Sequence, residues 1–487
     1  MDSNSSPRSG LLAILLIIAG PLAGWIAFLL FGNFSPTAVM SARACLFVTV
    51  WMAVWWMTEA VPLEATAMLP IVLMPLLGIQ RIAATTAEYA DPNVFLYLGG
   101  IGIAFGIEKT GLHRRGALMV LRVVGTTPAG IVGGFMLATA ALSMWISNTA
   151  TTILMLPLAR SVILISRDPN QPDRIGSNLL ACSLLLGIAY AASLGGLGTL
   201  VGTPTNVFFR GFMEELGQPI SFFSWMATAL PLVIVLLFAT WGLLSFVFYR
   251  RANSFNLSRE WVREEQLRLP LWSAAQVWVL TVFLCAALCW SLRELLIAQE
   301  FIAVAIPWAS NVHDSMIAMV GMLLLLIVPV PYRSFTKSVA EPREREWRRV
   351  LDWDDLQKAP WGILLLLGGG LSLAKAIQTS GLSAEIASGA VYLKEIPVWL
   401  LLLVIISAVV FLSELASNVA TATTVLPILA GVAQGLGIEP QVLLLPAILA
   451  ASCGFMLPVA TPPNAIVFGE RQMTMRQMMG AGIVLDL

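Results

Sequence analysis

Ser143-Met-Trp-Ile-Ser147-Asn148-Thr149-Ala150-Thr151 and Ser413-Glu-Leu-Ala-Ser417-Asn418-Val419-Ala420-Thr421 are two versions of one short polar sequence, each set in an almost wholly apolar stretch. They lie 270 positions apart (417 − 147 = 270). The same offset relates Gly99-Gly100 to Gly369-Gly370, Ala104 to Ala374, Gly111-Leu112 to Gly381-Leu382, and Pro157 to Pro427. One constant offset over so long a span marks a duplicated unit. Each copy is followed by a second polar break: Gly202-Thr203-Pro204-Thr205-Asn206 in the first, Ala460-Thr461-Pro462-Pro463-Asn464 in the second. Proline removes a backbone donor and clashes with the preceding turn, so each break is expected to split its helix.

The surroundings are those of a membrane protein. Of 487 residues, 58% are hydrophobic and 11% charged, and the mean hydropathy is +0.84. Soluble domains carry about 25% charged residues. Lys+Arg and Asp+Glu balance at 28 each, which excludes the strongly basic footprint of a nucleic-acid binder. The five cysteines all lie in apolar segments and read as small core residues. His113 and His313 are far apart at expected helix ends, so no metal cluster is legible.

The run from Leu11 to Phe31 exceeds the roughly 7–15 residues of a signal-peptide core and reads as a first spanning helix. With about 20 apolar residues needed to cross a bilayer, the sequence predicts spans near 11–31, 43–57, 60–78, 92–112, 178–208, 224–248, 272–296, 314–332, 360–380, 440–467 and from 474. That last segment reaches Leu487 after about fourteen residues, short of a full span. Two further apolar stretches, 128–165 and 396–431, hold the repeated polar sequence near their middles. A break at membrane depth is tolerated only inside protein or beside a cavity, so both are expected to be re-entrant hairpins.

Charge sets the expected orientation. With the N-terminus cytoplasmic, the loops 113–127, 166–177, 249–269, 332–359 and 468–477 are inside and carry most of the arginines. The outside loops hold about one basic residue each, such as Arg81, Arg210 and Lys394. Five crossings separate the hairpins, so the first opens to the cytoplasm and the second to the outside, as inverted-topology repeats. The charged stretches 249–269 and 333–359, with Trp261, Trp347 and Trp353, read as interfacial helices. Four regions follow: N-terminal helices 1–90; a first repeat, 91–223; linking helices and basic loops, 224–359; and a second repeat, 360–487.

Half-helix N-termini carry free N–H groups and partial positive charge, which suits a carboxylate or sulfate. Unwound carbonyls with Ser and Asn oxygens suit a hard cation such as Na⁺. Neither tip contains Lys or Arg, so bound Na⁺ would supply the charge that neutralises an anion. Duplicated, broken membrane helices are the sequence pointer to the binding site of a secondary transporter.

At Ser147-Asn148-Thr149, Ser417-Asn418-Val419, Gly202-Thr203-Pro204 and the long stretch from Ser452 to Val467, the chain resembles the divalent anion/sodium symporter family. The resemblance runs from about residue 45 to 480. It implies sodium-coupled transport of small di- or tricarboxylates such as succinate, malate, fumarate or citrate. It also implies a homodimer with a scaffold and an elevator-type transport domain in each protomer, in the plasma (inner) membrane. The implied first sodium site draws on Ser143, Ser147, Asn148 and the segment around Gly196; the second on Ser413, Ala416, Asn418 and Ala460. The anion is implied to contact Asn148, Thr149, Thr203, Asn418, Val419, Thr461 and Pro462. Val419 stands where many bacterial members carry Thr, which bears on the choice of anion.

A sodium-independent dicarboxylate exchanger and a sulfate carrier are the alternatives on the same scaffold. An intramembrane hydrolase would need a nucleophile beside a base, and the tips hold no His or Asp. A channel is disfavoured by the inverted duplication, which suits alternating access. Glu59 and Glu64, flanking Val61-Pro62, read as structural or interfacial; Glu108 and Lys109 as residues that snorkel to the membrane surface. Lys375 and Glu414 lie deeper in the second repeat, where an ionisable group is a functional candidate.

Overall fold

The computed structural model describes the chain except for residues 1–9, 35–37, 124–126, 167–174, 249–263, 298–307, 309–310, 333–345 and 487. It is a helical membrane protein. Among the described residues, ten helical stretches are long and apolar enough to cross a bilayer.

The chain opens with α1 (Gly10–Phe34) and α2 (Met40–Thr58). The expected span at 60–78 is two short helices, α3 (Leu63–Ala67) and α4 (Leu69–Leu76), because Pro70 cannot continue the hydrogen-bond ladder of α3. After α5 (Ile82–Ala87) come α6 (Pro92–Thr110) and the amphipathic α7 (Leu112–Val123). The first hairpin is α8 (Pro128–Ser143) and α9 (Asn148–Ser166). The split helix that follows is α10 (Ile175–Gly196) and α11 (Pro204–Glu215). Linking helices are α12 (Phe222–Gly242), α13 (Ala274–Ile297) and α14 (Asp314–Ile327).

The second repeat uses the same parts. A short α15 (Trp353–Gln357) leads to α16 (Trp361–Thr379) and α17 (Leu382–Ala390). The second hairpin is α18 (Val398–Leu415) and α19 (Asn418–Leu436), and the second split helix is α20 (Pro440–Ala450) and α21 (Pro462–Gly469). The last helix is α22 (Met475–Asp486).

Two expectations are corrected between α14 and α15. The expected span 314–332 is helical only to Ile327, and its last residues form β1 (Pro329–Tyr332), which pairs antiparallel with β2 (Glu346–Arg349), with Val330 opposite Arg348. Of the expected interfacial helix at 333–359, residues 333–345 lie outside the described residues, 346–349 are strand and only α15 is helix. Pro329 and Pro331 forbid helix, and both strands of a two-stranded ribbon are edges that tolerate proline. The expected interfacial helix at 249–269 falls mostly outside the described residues; only 264–267 is seen as helix.

The duplicated glycines mark helix contacts. A Cβ on Gly99 would stand 2.5 Å from the backbone of Ala318, and one on Gly369 would stand 2.3 Å from the carbonyl of Ala67. Helices α6 and α14, and α16 and α3, therefore meet backbone to backbone, the packing that small residues permit in membranes. Helix α10 is almost wholly buried over residues 179–196, whereas α1, α12, α13 and α18 leave most of their residues at least partly exposed. One core cluster joins the first hairpin and α10 to Phe455, Val467 and Met478 of the second repeat.

Candidate functional site

The two hairpin tips fold alike. Helix α8 ends at Ser143 and α9 begins at Asn148; α18 ends at Leu415 and α19 begins at Asn418. The buried Ser143 Oγ lies 2.7 Å from both Asn148 Oδ1 and the Ala192 carbonyl. In the second copy the buried Ser413 Oγ lies 2.9 Å from Asn418 Oδ1 and 2.6 Å from the Ala451 carbonyl. Each serine hydroxyl thus sits between an asparagine amide and a peptide carbonyl, gathering oxygen atoms at the tip.

The breaks are matched in the same way. Asn206 Nδ2 donates to the carbonyls of Gly196 at 3.0 Å and Thr199 at 2.7 Å. Asn464 Nδ2 donates to those of Gly454 and Leu457, each at 3.1 Å. All three positions are related by 258 residues (464 − 206 = 258), twelve fewer than at the tips. The second repeat is thus shorter between its hairpin and its split helix. Each asparagine braces the peptide segment where its helix unwinds.

Glycine permits the closest approaches. A Cβ on Gly196 would lie 2.4 Å from Asn148 Oδ1, and one on Gly202 would lie 2.4 Å from the Gly196 carbonyl. Buried oxygens left without a partner fall at matched positions in the two copies: Asn206 and Asn464 Oδ1, and Thr151 and Thr421 Oγ1. Hydroxyl, amide and peptide oxygens are hard donors. The sets around Ser143, Asn148 and Gly196 and around Ser413, Asn418 and Ala460 fit a hard monovalent cation such as Na⁺. Ser147 differs from Ser143: it is exposed, and its Oγ accepts the Ala150 N–H at 3.3 Å.

Both tips and both breaks line one cavity of about 520 Å³. It is bounded by Ser147–Thr149, Gly202–Pro204, Leu415–Val419 and Val459–Pro463. All seven residues expected to contact the anion, Asn148, Thr149, Thr203, Asn418, Val419, Thr461 and Pro462, face this space. Of the expected sodium set, Ser147, Asn148, Ala416, Asn418 and Ala460 line it, while Ser143, Gly196 and Ser413 are buried. No Lys or Arg lines the cavity among the described residues. The N-termini of α9, α11, α19 and α21 converge there.

The sequence reading missed several wall residues. Glu59 and Glu64, taken as structural or interfacial, both line the cavity, with Met57, Tyr97 and Gly362. Glu59 ends α2 in the left-handed region at φ 47°, a conformation rare outside glycine, where helix α2 stops and the chain turns toward Pro62.

Several other charges are paired. Arg210 does not sit in an outside loop: α11 carries it back into the protein, where its Nη1 lies 3.0 Å from Asp314 Oδ2. Lys375 pairs with Glu215, and Arg160 of the first hairpin meets Glu470 at the end of α21 through two contacts of 2.7 and 2.5 Å. Lys109 reaches Asp352 at 3.2 Å and Asp355 at 2.5 Å. Burial alone would raise the Asp355 carboxyl, but hydrogen bonds from Lys109 and the Asp352 amide hold it below the usual carboxylate range.

Residues 25–487 match the family model described as the sodium:sulfate symporter transmembrane region. The chain is 36% identical over 479 residues to the sodium-dependent dicarboxylate transporter SdcS of Staphylococcus saprophyticus, covering 97% of this chain and 88% of that one. It is 38% identical over 446 residues to SdcS of Staphylococcus aureus, covering 91% and 82%. Among solved structures, the Alcanivorax borkumensis YdaH transporter aligns with a TM-score of 0.55 at 14% identity over 90% of this chain and 97% of that one. MtrF of Neisseria gonorrhoeae gives 0.55 at 13% identity over 99% and 95%. These two likenesses speak to the fold alone. A family match across nearly the whole chain, with relatives this similar, shows that the protein belongs to the divalent anion/sodium symporter family, a family of transporters rather than enzymes.

Proposed function

We propose that this protein is a sodium-coupled symporter of small dicarboxylates such as succinate, malate or fumarate, with citrate as the larger candidate. The observation that carries this reading is one cavity, lined by two matched tips and two matched breaks, that offers helix N-termini and oxygen donors but no basic side chain. Its volume of about 520 Å³ lies within the roughly 300–1,000 Å³ of small-molecule sites. The printed names of the two staphylococcal relatives, sodium-dependent dicarboxylate transporters, support the same substrate class.

In this reading the backbone N–H groups at the starts of α9, α11, α19 and α21 orient the two carboxylates of the substrate, with Asn148, Thr149, Asn418, Thr203 and Thr461 as polar partners. Pro462 and Val419 close the apolar sides. Ser143, Ser147, Asn148 and the Gly196 segment hold one sodium ion; Ser413, Ala416, Asn418 and Ala460 hold a second. Bound sodium supplies the positive charge that the walls lack, which makes cation and anion binding interdependent. The tips and breaks stay rigid because Asn206 and Asn464 brace them from behind.

We further propose that the two repeats have inverted topology, with the N-terminus cytoplasmic in the plasma membrane. The hairpins and split helices then move as an elevator-type transport domain against a scaffold, within a homodimer. The shared core of the first hairpin, α10 and the end of the second repeat supports a single moving body.

Uptake of labelled succinate into proteoliposomes tests the reading. Uptake that needs an inward sodium gradient, and is lost in Asn148→Ala and Asn418→Ala, is expected. Equal uptake in potassium, driven by dicarboxylate inside, would replace the symporter with an exchanger. Sodium-driven uptake of sulfate in preference to succinate would overturn the substrate class.

A further inference from the structure

The two copies differ in charge at one matched position beside the breaks. Glu414, in the last turn of α18, is 1% exposed. Its Oε1 accepts the Met456 N–H at 2.8 Å and its Oε2 the Leu457 N–H at 2.9 Å. Asp486, on α22, accepts the preceding Phe455 N–H at 3.3 Å, and its carboxyl adjoins that of Glu414. Tyr190 of α10 donates to the Phe455 carbonyl at 3.0 Å. Three consecutive amides of the second break are therefore held by two adjoining carboxyl groups.

The first copy has no such charge. Position 144, which is 270 residues before 414, is Met144, and there the Thr199 hydroxyl donates to the Met144 backbone carbonyl. Thr199 and Leu457 are matched by the offset of 258. The same contact between tip and break is thus neutral in one repeat and anionic in the other. Among the described residues, neither Glu414 nor Asp486 makes an ion pair.

A buried carboxylate without a counter-ion is costly, and amide hydrogen bonds offset only part of that cost. Glu414 directly follows Ser413 in sequence, and a Cβ on Gly454, whose carbonyl Asn464 braces, would lie 3.5 Å from Glu414 Oε1. We propose that Glu414, supported by Asp486, is a positioning residue that makes the second sodium site the tighter of the two. It holds the Met456–Leu457 backbone, whose Leu457 carbonyl accepts the Ala460 N–H of that site, and supplies negative charge behind it. The first site, backed by Met144, depends on neutral oxygens alone. This rests on the proposed sodium coupling and predicts an order: the second site fills first.

The test is thermal unfolding of the full purified chain across a sodium titration, with choline holding ionic strength constant. If the wild type shows no sodium-dependent shift, sodium binding itself is refuted, and with it the proposed coupling. If it does, Glu414→Gln is expected to raise the half-saturating sodium concentration about tenfold or more, with partial recovery in Glu414→Asp. Ser413→Ala is expected to weaken the first phase of binding, and Ser143→Ala the second. Should Glu414→Gln fail to fold, Asp486→Asn decides, with an expected rise of about threefold. A purely structural role would lower the unfolding temperature equally in sodium and choline and leave half-saturation unmoved. Half-saturation within twofold of the wild type in the folded variants would overturn the inference.

Discussion

Arg210 and Asp314 meet at 3.0 Å with their side chains 5% and 1% exposed, 104 residues apart in the chain (314 − 210 = 104). Arg293 approaches the other carboxylate oxygen at 3.1 Å, and His313 Nε2 lies 3.2 Å from Arg210 Nη2. One buried anion therefore serves two cations, one on α11 of the first repeat and one on the linking helix α13. Breaking a buried pair is costly because it strands the remaining charge, by about 3–5 kcal/mol.

The two sides of this triad are unequal, and that sets the first prediction. Removing Arg210 leaves Asp314 with Arg293, whereas removing Asp314 leaves two guanidinium groups without an anion. Asp314→Ala is expected to lower the unfolding temperature in detergent more than Arg210→Met does. The reverse order would show that Arg293 does not stabilise the carboxylate.

A second prediction concerns the braces. Asn206 and Asn464 each donate two hydrogen bonds to the unwound peptide. At about 0.5–1.5 kcal/mol per bond, their loss would disorder the segment by roughly 1–3 kcal/mol. Asn206→Asp keeps the size and acceptor but removes the donor. Both Asn206→Asp and Asn464→Asp are expected to cut sodium-driven uptake at least tenfold in folded protein. Retained uptake would mean that the carbonyls hold their places without the amides.

Gly196 provides a sharper steric probe. A methyl there would stand 2.4 Å from Asn148 Oδ1, while one on Gly480 meets nothing within 4 Å. Gly196→Ala is expected to abolish uptake and sodium-dependent stabilisation, and Gly480→Ala to leave both intact. A fully active Gly196→Ala protein would remove Asn148 from the proposed sodium site.

Val419 is the tip residue whose counterpart, Thr149, carries a hydroxyl. It is 8% exposed and lines the cavity. Val419→Thr is nearly isosteric and adds one donor facing the proposed carboxylate. The KM for succinate is expected to fall a few-fold with kcat nearly unchanged. A fall in kcat alone would place residue 419 in the conformational step instead of in binding.

How much of this was legible in the sequence follows from what stands out against an apolar background. The tips and breaks are polar words in lipid-compatible text, and duplication marked them twice, so Asn148, Asn418, Thr203 and Thr461, which line one cavity, stood out. The brace role of Asn206 and Asn464 was not, although both residues were in view, because their acceptors are carbonyls that every residue carries. Arg210 was misplaced for a definite reason. The break at Thr203 starts a new helix in the middle of the protein, so a basic residue seven positions later is still inside. Glu414 was seen as a candidate without a partner, because its partners are backbone amides and a carboxyl 72 residues away (486 − 414 = 72). The β1–β2 ribbon was missed for two reasons: an apolar run carried the expected span on to 332 although Pro329 and Pro331 stop the helix, and the charge and tryptophan content of 333–359 suggested an interfacial helix where β2 lies.

The last prediction concerns the acidic wall that the sequence reading set aside. Glu59 and Glu64 are both exposed and both line the cavity; Glu64 lies against Gly362, where an added Cβ would meet its Oε1 at 2.4 Å. Two carboxylates beside the proposed dianion site would raise the local concentration of cations and oppose the entry of the anion. Neutralising both, as Glu59→Gln with Glu64→Gln, is therefore expected to move two constants in opposite directions. The KM for succinate should fall and that for sodium should rise, each by a few-fold at low ionic strength. Exposed charges are screened over about 10 Å at 0.1 M salt and about 3 Å at 1 M, so both shifts should shrink as salt is added. A change in the same direction for both constants, or one that salt does not reduce, would instead mean that these glutamates act by contact and shape rather than by their field.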